Sequence, residues 1–440
     1  MNTAYLKLVQ LQGWVTACIL ALLPFHAFLT VWLSTLVGHY TALRLWKEVL
    51  LVGLVVGSLI VLARSSVSRR QLSRATWFWL IVAYGLLLLL SGVVALQQQT
   101  VTPKAFAYGL LLDGRFLLFF ITTYIIAWQH AWLRQHWRGL ILWPAGVVVA
   151  IGLLQYFVLP PDVLRHFGYG PDTIPAVSTI DQKLEYQRIA STLRGANPFG
   201  AYLVLIISLL GALVLRRPKF DWRSAVLLMA SFVVLAVTFS RSAWIGVVVS
   251  LAVLLGLSIW HRVSRRWLLL GVAAGFMTFA SVGYILREND TFQNAFFHTD
   301  EHSRSAISSN EGRLGALQSG VRDLVHEPLG RGTGTAGPAS VYNQPHGVRL
   351  AENYFLQIGQ EIGVIGLGLF VAINGVIAWK FWKQRDQLLP LVLLASFMGL
   401  TVINLLSHAW TDDTLAYIWW GLAGVALAAG EQKQNGYEAA

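Results

Sequence analysis

The sequence predicts an all-α protein that crosses a membrane about twelve times. Hydrophobic residues make up 56% of the 440 residues and charged residues only 12%, whereas an average soluble domain is about 25% charged. The mean hydropathy is +0.59. These values are typical of a polytopic membrane protein and exclude a water-soluble fold.

Twelve stretches approach the length of about 20 apolar residues that a helix needs to cross a hydrocarbon core of about 30 Å. They lie near residues 14–36, 46–64, 76–96, 106–128, 140–160, 198–215, 224–239, 243–260, 267–286, 352–379, 388–407 and 413–430. The first follows only Lys7 and ends without a small-residue cleavage site. We therefore expect a retained helix there rather than a signal peptide.

The prediction divides the chain into six regions. They are an N-terminal five-helix membrane region (1–160), an outer loop (161–197), a central four-helix membrane region (198–286), a large extracytoplasmic loop (287–351), a C-terminal three-helix membrane region (352–430) and a cytoplasmic tail (431–440). In the large loop, Leu314, Leu317, Val321 and Leu324 recur at helical spacing. They predict an amphipathic helix near 312–327 that lies on the membrane surface or over the mouth of a cavity.

Lysine and arginine are concentrated on one side of the predicted bundle. The short loops on the side of the N-terminus contain the clusters "RSSVSRRQLSR", "RRPKFDWR", "HRVSRR" and "KFWKQR". By the positive-inside rule we expect both termini to be cytoplasmic and the two long loops to be extracytoplasmic. The net charge of +12 then reflects topology and contact with anionic membrane lipids, and not nucleic-acid binding.

Two ionisable residues, Asp113 and Arg115, lie inside the fourth predicted helix, in "LLLDGRFLL". Each costs roughly 3 kcal/mol at the bilayer centre, so such groups usually face a cavity or a partner. At i, i+2 they point to nearly opposite faces of the helix and do not pair with each other. Two interpretations stay open: both residues pair with other helices, or Arg115 binds an anionic ligand.

The tenth predicted helix begins with an unusually polar stretch, "AENYFLQIGQEIGVIGL" (351–367). Asn353, Gln357 and Glu361 recur at i, i+4, i+8, which predicts one polar stripe that faces protein or a cavity rather than lipid. Gly359 and Gly363 form a G-x-x-x-G pattern. This pattern predicts the close approach of another helix.

Three arginines from separate parts of the chain share the predicted outer face. Arg194 lies with Asn197 at the entry to the sixth helix, Arg241 lies in the turn between the seventh and eighth, and Arg313 begins the loop helix. Guanidinium groups bind phosphate oxygens bidentately and stay charged at physiological pH, so this cluster suits a diphosphate. For Arg241 the alternative is an interfacial side chain that snorkels to water.

Two further patterns do not predict a cofactor. His298 and His302 have the i, i+4 spacing of a zinc pair but no clear third ligand. The stretch "GTGTAG" (332–337) matches a dinucleotide fingerprint without the βαβ unit that this fingerprint requires, so we expect a flexible turn. We expect no metal and no cofactor.

Four stretches resemble, in order, the signatures of the bacterial O-antigen ligase and O-antigen polymerase family: "STLRGANPFGAYL", "FSRSAW", "GRLGALQSGVRDLVHEPLGRGTG" and "ENYFLQIGQEIGVIGLGLF". The resemblance extends from about residue 190 to 370. It implies a fold similar to the GT-C-type glycosyltransferases, in the bacterial inner membrane. It also implies metal-independent glycan transfer from an undecaprenyl-diphosphate-linked donor to a hydroxyl of a glycan or lipid acceptor, on the extracytoplasmic face, in surface-polysaccharide assembly.

The resemblance also implies roles for single residues. Arg194 and Arg241 would bind the donor diphosphate, and Arg313 would assist them or orient the acceptor. Ligases of this family often carry a His-Asn pair where this chain has Glu352 and Asn353. A glutamate at this position resembles the polymerase-type members.

Glu352 is our candidate general base, because the transfer requires a group that takes the proton of the acceptor hydroxyl. The alternative for Glu352 is an acid that complements a helix dipole, worth under about 1 kcal/mol. The accessory candidates are Asn197, Asn353, Arg115 and His346, the last as an alternative base. We predict an inverting glycosyltransferase, of polymerase type more than of ligase type. The alternatives are a polytopic transporter or lipid-linked glycan flippase, with Asp113, Arg115 and Glu361 along its pathway, and a structural scaffold.

Overall fold

The protein is a bundle of long apolar helices, and the computed structural model describes residues 3–180, 183–216, 221–259 and 309–434. The first helices are α1 Thr3–Leu22, α2 His26–Val37, α3 Tyr40–Arg44, α4 Trp46–Arg64, α5 Ser66–Arg74, α6 Thr76–Gln97, α7 Pro103–Gln129 and α8 Ala131–Phe157. The later helices are α9 Ala196–Arg216, α10 Trp222–Val237, α11 Arg241–Ile259, α12 Ser309–His326, α13 Tyr354–Lys383, α14 Leu388–Leu406 and α15 Asp413–Gln434.

Nine segments of the described chain are long and apolar enough to cross a membrane, which confirms an all-α polytopic membrane protein. Helices α1 and α2 together form one of them. The predicted seventh helix corresponds to α10, which has only 16 residues, and α15 is not among the nine. The predicted ninth helix, 267–286, lies outside the described residues, as do His298 and His302. The number twelve stays a prediction.

Helix α15 lies at the centre of the bundle. Every residue from 414 to 428 is buried. Gly421 lies against the ring of Phe119, and Gly424 lies against the backbone of α7 at Phe120 and Tyr124. Small residues allow this close approach of two helices, so α7 and α15 form the core on which the other helices pack.

A two-stranded antiparallel hairpin lies between α8 and α9, in a loop where the sequence predicted no strand. Its strands are β1 Ser178–Ile180 and β2 Lys183–Arg188, and Ser178 pairs with Arg188. Strand β2 ends at Arg188, only a few residues before α9 begins. The hairpin therefore holds this arginine close to the first turn of α9.

Helix α13 is broken inside its predicted span. Ile362 and Gly363 have non-helical dihedral angles, and Gly363 has φ 68° and ψ −171°, a combination that is essentially restricted to glycine. The break leaves backbone groups without partners in the helix, and the segment that follows α12 satisfies them. The amides of Arg331 and Gly332 donate to the carbonyl oxygens of Gln360 and Glu361, at 2.9 and 2.8 Å.

The segment "GTGTAG" is buried, and the expectation of a flexible turn is wrong. All six of its residues are buried. The Thr333 hydroxyl donates to the carbonyl oxygen of Leu88 at 2.7 Å, and Gly334 lies against the backbone of Ala105. The backbone of this segment packs closely against α6, α7 and α13, and at its glycine positions there is no room for a side chain.

The G-x-x-x-G pattern predicted that another helix would approach both of its glycines. In the structure the two glycines have different neighbours. Gly359 lies against Leu324 of α12, whereas Gly363 lies against the backbone of Pro328 and Leu329. The amide of Val364 donates to the carbonyl oxygen of Pro328 at 2.8 Å. At Gly363 the close contact is therefore with a loop, and only at Gly359 is it with a helix.

Substitution of Gly363 should disrupt this contact. In Gly363→Ala, the added methyl group would overlap the carbonyl oxygen of Pro328, and alanine would also be strained at φ 68°. We expect a loss of at least about 2 kcal/mol in the free energy of unfolding, measured by thermal unfolding in lipid nanodiscs. Gly368→Ala in the same helix is the control, because its methyl group would meet no atom within 4 Å. Equal stability of the two variants would contradict this account of the break.

Arg115 is held by carboxylates from two other helices. Its guanidinium donates to Glu48 at 2.9 Å and to Asp413, and also to the carbonyl oxygen of Thr411 at 3.1 Å. Lys47 lies 2.8 Å from Asp413 in the same buried group. This geometry supports the first of our two interpretations, in which Arg115 pairs with residues of other helices rather than with an anionic ligand.

The polar stripe of α13 faces protein, as predicted. Asn353 is 6% exposed, and Gln357 and Glu361 are 0% exposed. Glu361 lies within hydrogen-bonding reach of the buried Asp113. Each carboxyl group has one satisfied oxygen: Tyr354 donates to Asp113 Oδ1 at 2.9 Å, and the amide of Ala336 donates to Glu361 Oε1 at 3.3 Å.

One proton shared by the two carboxyl groups would satisfy their remaining oxygens. Asp113 Oδ2 and Glu361 Oε2 are buried and find no hydrogen-bond partner among the described residues. Two ionised carboxylates can only accept hydrogen bonds, whereas a protonated carboxyl group can donate one to its neighbour. The pair also joins α7 to α13 and, through the amide of Ala336, to the buried segment 332–337.

Variants of Glu361 test this pairing. Glu361→Gln should keep the stability of the protein, because its amide group can donate to the Asp113 carboxylate in place of the shared proton. Glu361→Leu should lower the free energy of unfolding by about 1–3 kcal/mol or more, because it leaves the Asp113 carboxyl buried without this partner. Thermal unfolding at pH 7 compares the two variants. Wild-type stability in Glu361→Leu would show that the pair is not structural.

Candidate functional site

A cavity of about 250 Å³ lies at the end of the bundle that carries the hairpin and the connection between α12 and α13; we call it the site cavity. Its walls come from the start of α9, the start of α11, the chain before α13 and the connection between α14 and α15. The lining residues are Arg194, Asn197, Pro198, Ala201, Ser242, Pro338, Glu352, Ile403, Ser407, His408, Ala409, Thr411 and Asp412.

Three arginines lie next to this cavity; we call Arg188, Arg241 and Arg313 the arginine cluster. Arg188 donates to the carbonyl oxygen of Thr238 at 2.9 Å and to Asn197 Oδ1 at 2.5 Å. Burial, followed by the charges of Arg313 and Arg241, lowers the pKa of Arg188 to about 10. The charges that act on Arg188 are thus positive, and an anion bound here would relieve their repulsion.

Arg194 lies in the cavity itself. Its side chain is 51% exposed, and its Nε lies 3.6 Å from Asp412 Oδ2, which is longer than a hydrogen bond. Asn197 connects it to the arginine cluster, because Asn197 lines the cavity and also accepts from Arg188. Arg194 thus lines the site cavity, and Arg188 contacts its wall through Asn197.

Glu352 brings a carboxylate into the same cavity. It has φ 51°, a left-handed conformation that is uncommon for a residue other than glycine and that recurs at functional sites. Asn353 caps α13 by accepting from the amide of Leu356 at 3.0 Å, and it donates to the carbonyl oxygen of Leu405, also at 3.0 Å. Asn353 thus supplies the cap of α13, and Glu352 lines the cavity.

The remaining candidates lie elsewhere. His346 lines a separate cavity of about 350 Å³ together with Arg331, Asn343 and Arg349. Arg115 belongs to the buried group with Glu48 and Asp413. The structure thus brings Arg194, Asn197 and Glu352 together in the site cavity, and places Arg241 and Arg313 beside it.

Three residues of the site were not among the sequence candidates: Arg188, His408 and Asp412. Burial and the charge of Arg194 lower the pKa of His408 to about 4, so its imidazole is neutral at pH 7. Burial raises the pKa of Asp412, although the charge of Arg194 opposes this rise. The sequence feature that could have identified His408 and Asp412 is the polar stretch "SHAWTDD" before the last helix.

No group of three or more His, Cys, Asp or Glu side chains that could hold a metal ion occurs in the part of the chain that the structure describes. Residues 224–371 match the model of the family described as O-antigen ligase. We call this matched segment the O-antigen ligase domain. This match confirms the resemblance of the sequence to the O-antigen ligase and polymerase family. No curated protein matches the chain.

The O-antigen ligase domain supplies only part of the site. It covers about a third of the chain and contains Arg241, Arg313 and Glu352. Arg188 and Arg194 precede it, and His408 follows it. The site cavity is therefore assembled from the O-antigen ligase domain and from helices on both sides of it.

Proposed function

We propose that the protein transfers a glycan from an undecaprenyl-diphosphate-linked donor to an acceptor hydroxyl. One observation carries this proposal: an arginine cluster lies beside a cavity that contains a carboxylate, in a chain with an O-antigen ligase domain. The two chemical requirements of the transfer, an anion site and a proton acceptor, are thus next to each other.

The arginines would act on the donor. Arg188, Arg194 and Arg241 would bind the diphosphate, and Arg313 would assist them or orient the acceptor. When the bond between the anomeric carbon and the phosphate oxygen breaks, its electron pair passes to the diphosphate. Fixed positive groups stabilise the charge that develops there without a metal ion.

Glu352 would act on the acceptor. The acceptor oxygen forms a bond to the anomeric carbon as the bond to the diphosphate breaks, and the proton of the hydroxyl passes to the Glu352 carboxylate. A single displacement of this kind inverts the configuration of the anomeric carbon. The transfer would therefore be inverting, with Glu352 as the general base.

The proposed location is the extracytoplasmic face of the bacterial inner membrane, with both termini in the cytoplasm. The distribution of lysine and arginine supports this orientation. The polyprenyl chain of the donor and the acceptor lipid would lie in the bilayer around the bundle. Polymerase-type activity is favoured by the glutamate at position 352.

Deletion of the gene tests the reaction in the cell. Surface glycans from deleted and complemented cells are compared by gel electrophoresis, together with the carrier-linked glycans of the membrane. Loss of long chains without accumulated polymer indicates a polymerase, whereas accumulated carrier-linked polymer indicates a ligase. Unchanged surface and carrier-linked glycans in the deleted cells would contradict both.

A flippase is the alternative, because transporters contain broken helices such as α13. In this protein the break is occupied by the segment that follows α12. A vesicle assay separates the two functions. Lipid-linked glycan that crosses the bilayer without formation of a glycosidic bond would favour the flippase.

A further inference from the structure

A further cavity adjoins the site cavity at Arg194 and Asp412, which line both; we call it the second cavity. Its volume is about 250 Å³, equal to that of the site cavity. Small-molecule sites usually enclose about 300–1,000 Å³. Either cavity alone is therefore small for a reaction between two glycans, whereas the two together fall in this range.

The second cavity is built by parts of the chain that the family match does not cover. Its walls come from the start of α2, from α3, from the connection between α8 and the hairpin, from the turn before α9 and from the start of α15. All of its lining residues lie outside residues 224–371. The O-antigen ligase domain contains Arg241, Arg313 and Glu352, three of the groups that would carry out the reaction. A cavity without these groups is suited to recognise a substrate rather than to react with it.

Two side chains of the second cavity have polar atoms that the protein does not use. Arg44 and Tyr40 are both half-buried. Arg44 Nη2 donates to the hydroxyl of Tyr108 at 3.0 Å, whereas its Nε and Nη1 make no hydrogen bond with a described residue. The hydroxyl of Tyr40 makes none with a described residue either. All three atoms are accessible to solvent, so each can contact a ligand.

The walls that carry these atoms are held in place. Lys47 Nζ donates to the carbonyl oxygen of Arg44 at 2.9 Å. The ring of Tyr40 packs against a small hydrophobic cluster between α2 and the connection that follows α8. In that connection the Thr173 hydroxyl donates to the carbonyl oxygen of Gly168 at 2.9 Å. Groups that are already ordered lose little freedom when a ligand binds, which favours affinity.

Asp412 and Arg194 add an acceptor and a donor where the two cavities meet. Asp412 Oδ1 accepts from the amide of Leu415 at 3.2 Å. Its Oδ2 lies 3.6 Å from Arg194 Nε, which is longer than a hydrogen bond. The Arg194 side chain is 51% exposed. Both groups thus keep hydrogen-bonding capacity for a ligand.

The second cavity therefore combines groups that only donate with a group that accepts. A guanidinium only donates, an ionised carboxylate only accepts, and a tyrosine hydroxyl does both. A hydroxyl group of a ligand can accept from a guanidinium and at the same time donate to a carboxylate. Neighbouring hydroxyls on a sugar ring match this arrangement of groups.

We propose that the second cavity is a subsite for a sugar residue, with Arg44 and Tyr40 as its hydrogen-bonding contacts. The reacting sugar lies in the site cavity, and the next sugar of the same glycan lies in the second cavity. This inference rests on the proposed transfer reaction. The sugar belongs either to the donor glycan or to the acceptor.

Kinetics with purified protein in lipid nanodiscs test the inference. The donor is the undecaprenyl-diphosphate oligosaccharide extracted from cells that lack the gene. The acceptors are the same oligosaccharide released from its carrier and the glycolipid fraction of these cells. Each glycan is supplied intact and after enzymatic trimming to one sugar. We compare Arg44→Gln and Tyr40→Phe with Arg322→Gln, the control, because Arg322 is exposed on α12 and lines neither cavity.

With intact glycans, we expect the KM of one substrate to rise about fivefold or more in Arg44→Gln and about twofold or more in Tyr40→Phe. These are the effects of losing a charged and an uncharged hydrogen bond. The kcat should stay within about twofold of wild type, because a contact made equally in the ground state and the transition state affects KM alone. A raised KM for the donor assigns the sugar to the donor glycan, and a raised KM for an acceptor assigns it to the acceptor.

Trimming the glycan separates a sugar contact from a structural effect. A substrate with one sugar does not reach the second cavity, so Arg44→Gln and wild type should have the same KM for it. Two groups that act through one contact show this non-additivity. Arg322→Gln should match wild type with every substrate.

Three results overturn the inference. If the wild-type protein transfers glycan and both variants have the wild-type KM for intact substrates, no sugar contacts Arg44 or Tyr40, although the proposed reaction stands. The same holds if Arg44→Gln raises the KM equally for intact and trimmed substrates, because the effect is then structural. If the wild-type protein forms no glycosidic bond with these substrates, the proposed reaction fails and the inference fails with it.

Discussion

Arg188→Gln should almost abolish product formation while the protein still inserts into the membrane. We expect the transfer rate to fall at least about 100-fold, the usual effect of removing one group that stabilises developing charge. Arg188 lies at the end of β2, donates to Asn197 and is subject to the charges of Arg241 and Arg313. Its loss removes one positive charge and also releases Asn197 from the wall of the site cavity.

The measurement is the amount of long-chain surface glycan in cells that express each variant, with membrane insertion checked by immunoblot of the membrane fraction. Arg165→Gln is the control, because Arg165 lies in the connection between α8 and the hairpin, 68% exposed, and pairs only loosely with Asp162 at 3.6 Å. Arg194→Gln and Arg241→Gln should behave like Arg188→Gln. Full glycan length in the Arg188 variant would remove this arginine from the donor site.

Glu352→Gln should stop turnover while donor binding continues. The glutamine amide has nearly the shape of the carboxylate but does not take a proton, so we expect kcat to fall about 10²- to 10⁴-fold. The arginine cluster is unchanged in this variant, and the affinity for the undecaprenyl-diphosphate donor should stay within about twofold of wild type. Single-turnover kinetics and donor binding to protein in nanodiscs give the two quantities.

A second substitution separates the carboxylate of Glu352 from its backbone conformation. Glycine adopts φ 51° without strain, so Glu352→Gly keeps the turn before α13 and removes the carboxylate. It should be as inactive as the glutamine variant. Asp172→Asn, at an exposed position in the connection between α8 and the hairpin, should retain wild-type activity. Wild-type product levels in Glu352→Gln would show that another group takes the proton.

Several features of the fold could be predicted because they depend on short stretches of sequence. The length and hydrophobicity of a segment determine whether a helix crosses a membrane, and nine such segments occur in the described chain. The burial of Asn353, Gln357 and Glu361 follows from their spacing, because residues four apart share one face of a helix. The break at Gly363 could not be predicted in this way, since it depends on a loop from another part of the chain.

Some residues of the candidate site could also be predicted from the sequence, and others could not. Arg194, Asn197 and Glu352 could be selected because the order of the helices places them on one side of the bundle, and they do share a cavity. Arg188 was one of many loop arginines in the sequence, and only the hairpin and its contact with Asn197 distinguish it. His408 lies in the polar stretch "SHAWTDD", but only the packing of the connection between α14 and α15 places it in the site cavity.

By itself, the sequence determined the membrane-embedded helical class, the resemblance to the O-antigen ligase and polymerase family, and the prediction of an arginine-rich face. Tertiary structure alone decided that Arg115 is neutralised by Glu48 and Asp413, that "GTGTAG" is buried, and that Glu352 and His408 line one cavity. The reason is physical: hydrophobic length and helical phase are local properties of the chain. The distance between residues more than 50 positions apart depends on how the helices pack.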